Sequence, residues 1–390
     1  RVSLTDELDQ TMASGVDLRA MLDPAASGEV RRIMQICNAC RYCEGFCAVF
    51  PAMERRRLFT DGDVSYLANL CHNCGACYHA CQYAPPHEFA VNVPVSMAAA
   101  RASSYAAYAW PGPLAHLFHR NGMVVSIIIA LGLGLTVGLM LAMISPDLFW
   151  GVHIGAGAFY QVMPHTIMAA IPLGITAFAI LAMVMGWRRY WQHTGAVWGG
   201  WRSVGDAVVA VAAMRHLGGE TAAGWRGGGG CHTADDRSSN ARRIYHQLTM
   251  YGFLLCFAST SVGTLYHYAF GWEAPYGLLS LPVILGTVGG VILCVGTAGL
   301  FIEKRRMNPA VRYETAGGMD NAFIVILFLV SFTGLLLLAV RSTSMMGLTL
   351  AIHLGFVYSF FLIMPYSKFV HGLYRFAALL ASASESRSIQ

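Results

Sequence analysis

The sequence predicts an all-α protein in two parts, a soluble helical domain over residues 1–120 and a membrane domain over residues 121–390 with six spanning helices. Two observations carry this. Of 390 residues, 56% are apolar and only 12% charged, with a mean hydropathy of +0.50; an ordinary soluble domain is about 25% charged. The charges are also segregated. The first 120 residues are charged and cysteine-rich with no long apolar run, whereas six later stretches, 121–146, 148–187, 244–272, 274–302, 321–340 and 342–367, contain no Asp, Glu, Lys or Arg. This balance excludes a disordered chain, a collagen-like repeat and a secreted disulfide scaffold.

A bilayer core needs about 20 apolar residues per helix, so each stretch supplies one span, at about 123–144, 164–187, 247–270, 278–302, 321–340 and 346–367. The second stretch is long enough for two crossings. Gly155, Gly157 and Pro164 break its first half, and Trp150, His153, Tyr160, Gln161 and His165 make that half amphipathic, so 148–163 reads as an interfacial segment. No signal peptide is expected, because the first long apolar run begins beyond residue 120.

Orientation follows the Lys/Arg bias. Arg188, Arg189, Arg202, Arg215, Arg242, Arg243, Lys304, Arg305, Arg306 and Arg312 fall in loops on the side of the N-terminal domain, together with Lys368 and Arg375; the opposite loops hold only Arg341. Both termini are therefore expected in the cytoplasm, in a bacterial inner membrane. The net charge of +5 reflects this bias. Its spread along helix ends argues against nucleic-acid binding.

Eight of the 11 cysteines lie between residues 37 and 81. On the cytoplasmic side disulfides are disfavoured, and metal ligation is the expected use. Cys37-x2-Cys40-x2-Cys43-x3-Cys47 is followed by Cys71-x2-Cys74-x2-Cys77-x3-Cys81. In two-cluster ferredoxins, three closely spaced thiolates wrap one cubane while the fourth cysteine serves the other. That rule assigns Cys37, Cys40, Cys43 and Cys81 to one [4Fe–4S] cluster, and Cys71, Cys74, Cys77 and Cys47 to a second. A pair of zinc sites is the alternative, but this spacing is unusual for zinc. The proline that directly follows the fourth cysteine in bacterial ferredoxins is displaced here to Pro51 and Pro85. Residues 28–36 and 64–70 read as helices leading into the two motifs, the second capped near Thr60. Helical flanks suggest an α-helical dicluster ferredoxin-like domain, of the kind found in succinate-dehydrogenase iron–sulfur subunits. His72, His79 and His87 read as surface histidines, with tuning of a cluster as the alternative.

Ionisable residues within spans are functional candidates. His246 and His267 mark the two ends of the third span, and His353 and His371 those of the sixth. His353 and His371 are 18 residues apart, five turns of helix, and so are expected to share one face about 27 Å apart. Antiparallel pairing would set His246 against His371 at the inner level and His267 against His353 at the outer, each pair holding a haem b. His165 is a rival outer ligand. One or two haems, in a cytochrome b-like bundle, are thus expected. For a quinone, Tyr366, Lys368 and Arg243 near the inner face are candidates, although membrane anchoring explains the cations equally well. In the 188–246 loop, 201–217 reads as a surface amphipathic helix. The run Gly227–Gly230 before Cys231-His232 lacks the strand and Lys-Ser/Thr of a phosphate loop, so the loop is expected to be a docking surface or lid. No Ser-His-Asp, zincin or dinucleotide motif is present, and no substrate chemistry of the chain's own is expected.

Several runs resemble the tricarballylate/citrate-utilization protein B family (TcuB/CitB): Cys37 to Pro51, Phe159-Tyr-Gln-Val-Met-Pro-His165, the glycine stretch ending at Cys231, Leu254 to Ser261, and Pro365-Tyr-Ser-Lys-Phe-Val-His371-Gly-Leu-Tyr-Arg375. The resemblance spans nearly the whole chain. It implies a membrane electron-transfer partner that reoxidises the flavin of a cytoplasmic FAD-dependent dehydrogenase, the tricarballylate dehydrogenase TcuA, and passes electrons to quinone. Two alternatives stay open, the same architecture serving another flavin dehydrogenase, and a redox-sensing or tricarboxylate-transport membrane protein.

Overall fold

The computed structural model describes residues 22–118, 121–217, 231–233 and 237–389. The soluble part is built from α1 (Pro24–Cys40), α2 (Val49–Glu54), α3 (Asp61–Leu70), α4 (Ala76–His79) and α5 (Val93–Tyr108). α6 (Asn121–Met143) leads to two short helices, α7 (Pro146–Phe149) and α8 (Ala158–Val162), and then to α9 (His165–Thr194) and α10 (Trp201–Ala212). A two-residue antiparallel pair, β1 (Cys231–His232) and β2 (Ser238–Ser239), precedes α11 (Ala241–Phe270), α12 (Leu281–Arg306), α13 (Gly317–Val340), α14 (Met346–Ile363) and α15 (Val370–Ile389).

Six helices among the described residues are long and apolar enough to cross a membrane, namely α6, α9, α11, α12, α13 and α14 with its 3-10 extension. The expected spans are all present. Four run several residues further than expected, to Thr194, from Ala241, to Arg306 and from Glu314, because the charged turns that bound the apolar stretches stay helical. The expected interfacial segment forms α7 and α8. Phe149, Val162 and Met163 are buried there against Met140, Leu337 and Leu350 of the bundle.

Capping explains the helices of the soluble domain. The Asp23 carboxylate accepts from the Ala25 and Ala26 N–H groups, with Pro24 in the first turn of α1. Thr60 and Asp63 form a reciprocal capping box on α3. α1 and α3 bury Ile33, Met34, Leu67 and Leu70 against α5.

The sixth span departs from expectation. Pro365 cannot supply a helical N–H, Met364–Tyr366 tightens to a 3-10 turn, and Ser367 is extended (φ −124°, ψ −178°). His353 therefore lies on α14 and His371 on a separate helix, so the five-turn shared face does not exist. α15 turns back along the soluble domain. It packs on α3, α9 and α10, buries Tyr374, Ala377 and Leu380 in the same core as Ile33 and Leu67, and pairs Glu385 with Arg55 (3.1 Å) and Arg56 (2.6 Å).

α11 and α12 form a tight hairpin through small residues, the usual means of close backbone approach in lipid. A Cβ on Gly252 would stand 2.8 Å from the Leu293 nitrogen and 2.9 Å from the Gly289 oxygen, both backbone atoms with nowhere to go. Gly252→Leu is expected to destabilise the protein by about 1–3 kcal/mol through overpacking, read as a lowered Tm in detergent. An unchanged Tm would mean that these helices do not pack through this seam.

Candidate redox site

The two cysteine motifs are placed by helix ends. Cys37 and Cys40 occupy the last turn of α1, which closes at Arg41 in the left-handed region (φ 56°). Cys47 immediately precedes Ala48, which caps α2. Cys71 ends α3, and Asn73 (φ 54°) and Gly75 (φ 82°) swing the chain so that Cys77 enters on α4. Left-handed residues between the thiols let the chain wrap a centre instead of running straight past it.

The thiols fall into two neighbourhoods. Burial, then the nearby Cys43, Cys81 and Cys40, pushes the Cys37 thiol up to about 12; burial with Cys81 and Cys40 does the same to Cys43. Burial with Cys74 and Cys71 raises Cys47, and burial with Cys74, Cys71 and Cys47, and last Cys43 across from the first motif, raises Cys77. The neighbours are those of the crossed assignment, with Cys81 joining the first motif and Cys47 the second. Buried, crowded thiols of this kind ionise only when a metal supplies positive charge. Among the described residues no three His, Cys, Asp or Glu side chains close around a single ion. A cubane spaces its four thiolates more widely than one ion does, because irons and sulfides stand between them. The Asn73 N–H also reaches Cys71 Sγ at 3.4 Å, the kind of contact that tunes a cluster.

Beneath the second motif lies a cavity of about 640 Å³, within the range of cofactor and ligand pockets. His72 and Asn73 form its roof, so His72 is not the surface residue the sequence suggested. His246 of α11 and His371 of α15 form its walls. Their rings face each other with centroids 5.9 Å apart and planes at 80°. Two imidazoles on opposite sides of one iron, each bonded at about 2 Å, need about 6 Å between ring centres. His371 Nδ1–H donates to the Lys368 carbonyl, which leaves Nε2 as the ligating nitrogen. His246 Nδ1 is buried and lacks a hydrogen-bond partner among the described residues. The two residues would therefore suit as the pair that holds a haem, which would supply one-electron chemistry there.

The outer level differs from expectation. His267 stacks on His165 at 3.8 Å and 19°, too close for an iron between them, and Tyr160 OH stands 3.3 Å from His267 Nδ1. His353 instead contacts Thr333 Oγ1 at 3.1 Å in the seam between α13 and α14. The antiparallel pairing of His267 with His353 is thus corrected. α11 meets α14 in the inner half through Phe253 and Phe360, and the break at Pro365 removes the register on which the outer pair depended.

Of the quinone candidates only Lys368 lines the cavity, bonded to Asp320 at 2.9 Å; Asp320 also pairs with Lys304 at 3.2 Å. Tyr366 donates to the Trp110 carbonyl at 2.8 Å. Arg243 donates to the Ala213 carbonyl at 2.7 Å. Its neighbour Arg242 is the one that faces the cavity. The sequence reading gave no role to Arg101, Arg242, Arg375 or Asp320. A signal was present in that Arg242–His246 and His371–Arg375 are both i,i+4 pairs, which share a helix face.

The expected docking loop leans on the second motif. His232 N–H donates to the Cys74 carbonyl at 3.0 Å, the His232 ring stacks on His79 at 5.0 Å, and Arg242 approaches Cys231 Sγ at 4.0 Å. Gly227–Gly230 lie outside the described residues.

The profile of the citrate utilization protein B family matches residues 117–390, and that of the citrate utilization protein B Fer4-like domain matches residues 30–107. The chain belongs to this family. It is 45% identical over 379 residues to citrate utilization protein B of Escherichia coli, covering 95% of each chain. No solved structure matches it. The Fer4-like match falls on the domain that carries both cysteine motifs. Membership therefore supports an iron–sulfur electron-transfer role in a multi-pass membrane protein.

Proposed function

We propose that this protein carries electrons from a cytoplasmic FAD-dependent dehydrogenase of the tricarballylate dehydrogenase kind, through two [4Fe–4S] clusters and a b-type haem, to quinone in the membrane. The observation that carries the proposal is vertical order. Two thiol neighbourhoods stand above a cavity, and two facing histidines stand at the level where the spans begin. The clusters and haem, when bound, supply one-electron chemistry; the chain's own residues set their order and exclude water. Cys37, Cys40, Cys43 and Cys81 would hold the first cluster, and Cys47, Cys71, Cys74 and Cys77 the second. His246 and His371 would hold the haem.

The half-exposed first motif, flanked by exposed Arg41, Tyr42 and Glu44, is the face offered to the flavoprotein. Apolar Phe253, Leu254, Phe323 and Phe369 line the membrane side of the cavity and suit the ring and tail of a quinone, with Lys368 held by Asp320 at its polar edge. The Lys/Arg bias supports a reading with both termini in the cytoplasm and the spans in a bacterial inner membrane.

A dithionite-reduced minus oxidised visible spectrum of purified protein, with haem and iron counted per chain, tests this. One b-type haem beside about eight non-haem irons is expected. A second haem would restore an outer site and require His165 and His267 to separate. No haem in protein that retains its iron would remove the haem from the pathway.

A further inference from the structure

We propose that Arg101, Arg242 and Arg375 hold the second cluster at a higher reduction potential than the first, making it the centre from which electrons leave toward the membrane. The inference rests on the two-cluster reading and assigns the direction of flow within it.

The three arginines come from α5, α11 and α15 and converge on the carbonyls of one short stretch. Arg101 donates to Cys71 O at 2.5 Å. Arg375 donates to Leu70 O at 2.6 Å and Cys71 O at 3.2 Å. Arg242 donates to Asn73 O at 2.8 Å and His72 O at 3.3 Å. Four other arginines of the soluble domain find carboxylates: Arg31 pairs with Asp61, Arg32 with Glu29, and Arg55 and Arg56 with Glu385. These three make no ion pair among the described residues. The acid at the cavity edge, Asp320, is already held by two lysines. Like charges crowded at a half-buried site without an anion are unfavourable. A cubane with four thiolates is the missing anion, and Cys71 is the thiol whose own carbonyl two of the arginines grip.

The consequence is electrostatic. Reduction adds one negative charge to the cluster, so nearby fixed cations favour the reduced form. Burial alone would act the other way, but three cations in a poorly screened setting outweigh one added charge. Among the described residues no such layer of arginines reaches the first motif. Arg41 and Glu44, of opposite sign, lie beside it exposed to water, where screening weakens both. One electron passing from the first cluster to the second oxidises the one and reduces the other, with no bond made and no proton moved. The reduced flavin of the dehydrogenase supplies the electron and quinone drains it.

The experiment is an EPR-monitored potentiometric titration of the full-length protein in detergent, comparing wild type with R375Q, R375K and R242Q. Two midpoints are expected in wild type. The higher should fall in R375Q and R242Q, the lower should stay in place, and R375K should recover part of the loss. A structural clamp alone would leave both midpoints fixed. An unmoved higher midpoint in variants with full iron, or a shift confined to the lower one, overturns the proposal. If R375Q loses iron, R242Q gives the same readout, because its bonds lie beyond Cys71. Wild-type protein that shows no cubane signal would overturn the two-cluster reading itself, whereas two signals with fixed midpoints overturn only the charge effect.

Discussion

Replacing Cys40 by alanine is expected to abolish quinone reduction by the flavoprotein and to lower non-haem iron by about half, from about eight to about four atoms per chain. Cys40 closes the last turn of α1, while the helix is held by Val30, Ile33 and Met34 on its buried face. The polypeptide therefore keeps its packing when the thiol is lost, and the damage falls on the first cluster. Iron analysis and flavoprotein-driven quinone turnover check this together. Half the iron with wild-type turnover would mean that electrons bypass the first cluster, and the order of centres would have to be redrawn. Full iron would show that Cys40 is not a ligand.

Removal of either inner histidine is expected to have the second-largest effect. His246→Ala and His371→Ala should each abolish the b-type band in the reduced-minus-oxidised spectrum while leaving the iron–sulfur EPR signals in place. His353→Ala should keep its haem, because that ring is engaged with Thr333 across a helix seam. The contrast between His371 and His353 is the informative part. The two residues look equivalent in the sequence and are separated in the structure by the break at Pro365 and Ser367. A haem lost from the His353 variant and kept in the His371 variant would reverse the assignment.

Much of the architecture was legible because lipid leaves few solutions. A backbone in hydrocarbon must satisfy its own hydrogen bonds, so charge-free stretches of sufficient length had to become helices. The cysteine spacing was legible for a similar reason, since a cubane dictates how the chain returns. The inner histidine pair was legible from antiparallel helix ends. The outer pair was not, because its prediction assumed a helix continuous from His353 to His371. Pro365 broke that assumption, and the span pattern carries no helical phase across a break. A related ambiguity separates Arg243 from Arg242. Adjacent helix residues point about 100° apart, and only the fold says which of them looks inward. His72 reads as a surface histidine in the sequence, yet the wall facing it comes from the distant helices α11 and α15.

The helix after the last span also bears on how the molecule is made. Tyr374, Ala377 and Leu380 belong to the same buried core as Ile33, Met34 and Leu67, but the ribosome reaches them only at the end of synthesis. Domains generally fold as they emerge, N-terminal first, and this one cannot. Its core stays unfinished while every span is inserted, and Arg375 arrives to grip Leu70 and Cys71 only when the chain is complete. Completion of the shell around the second cysteine motif is thereby tied to successful membrane insertion, and a chain stalled partway is left with an open core for proteases to find.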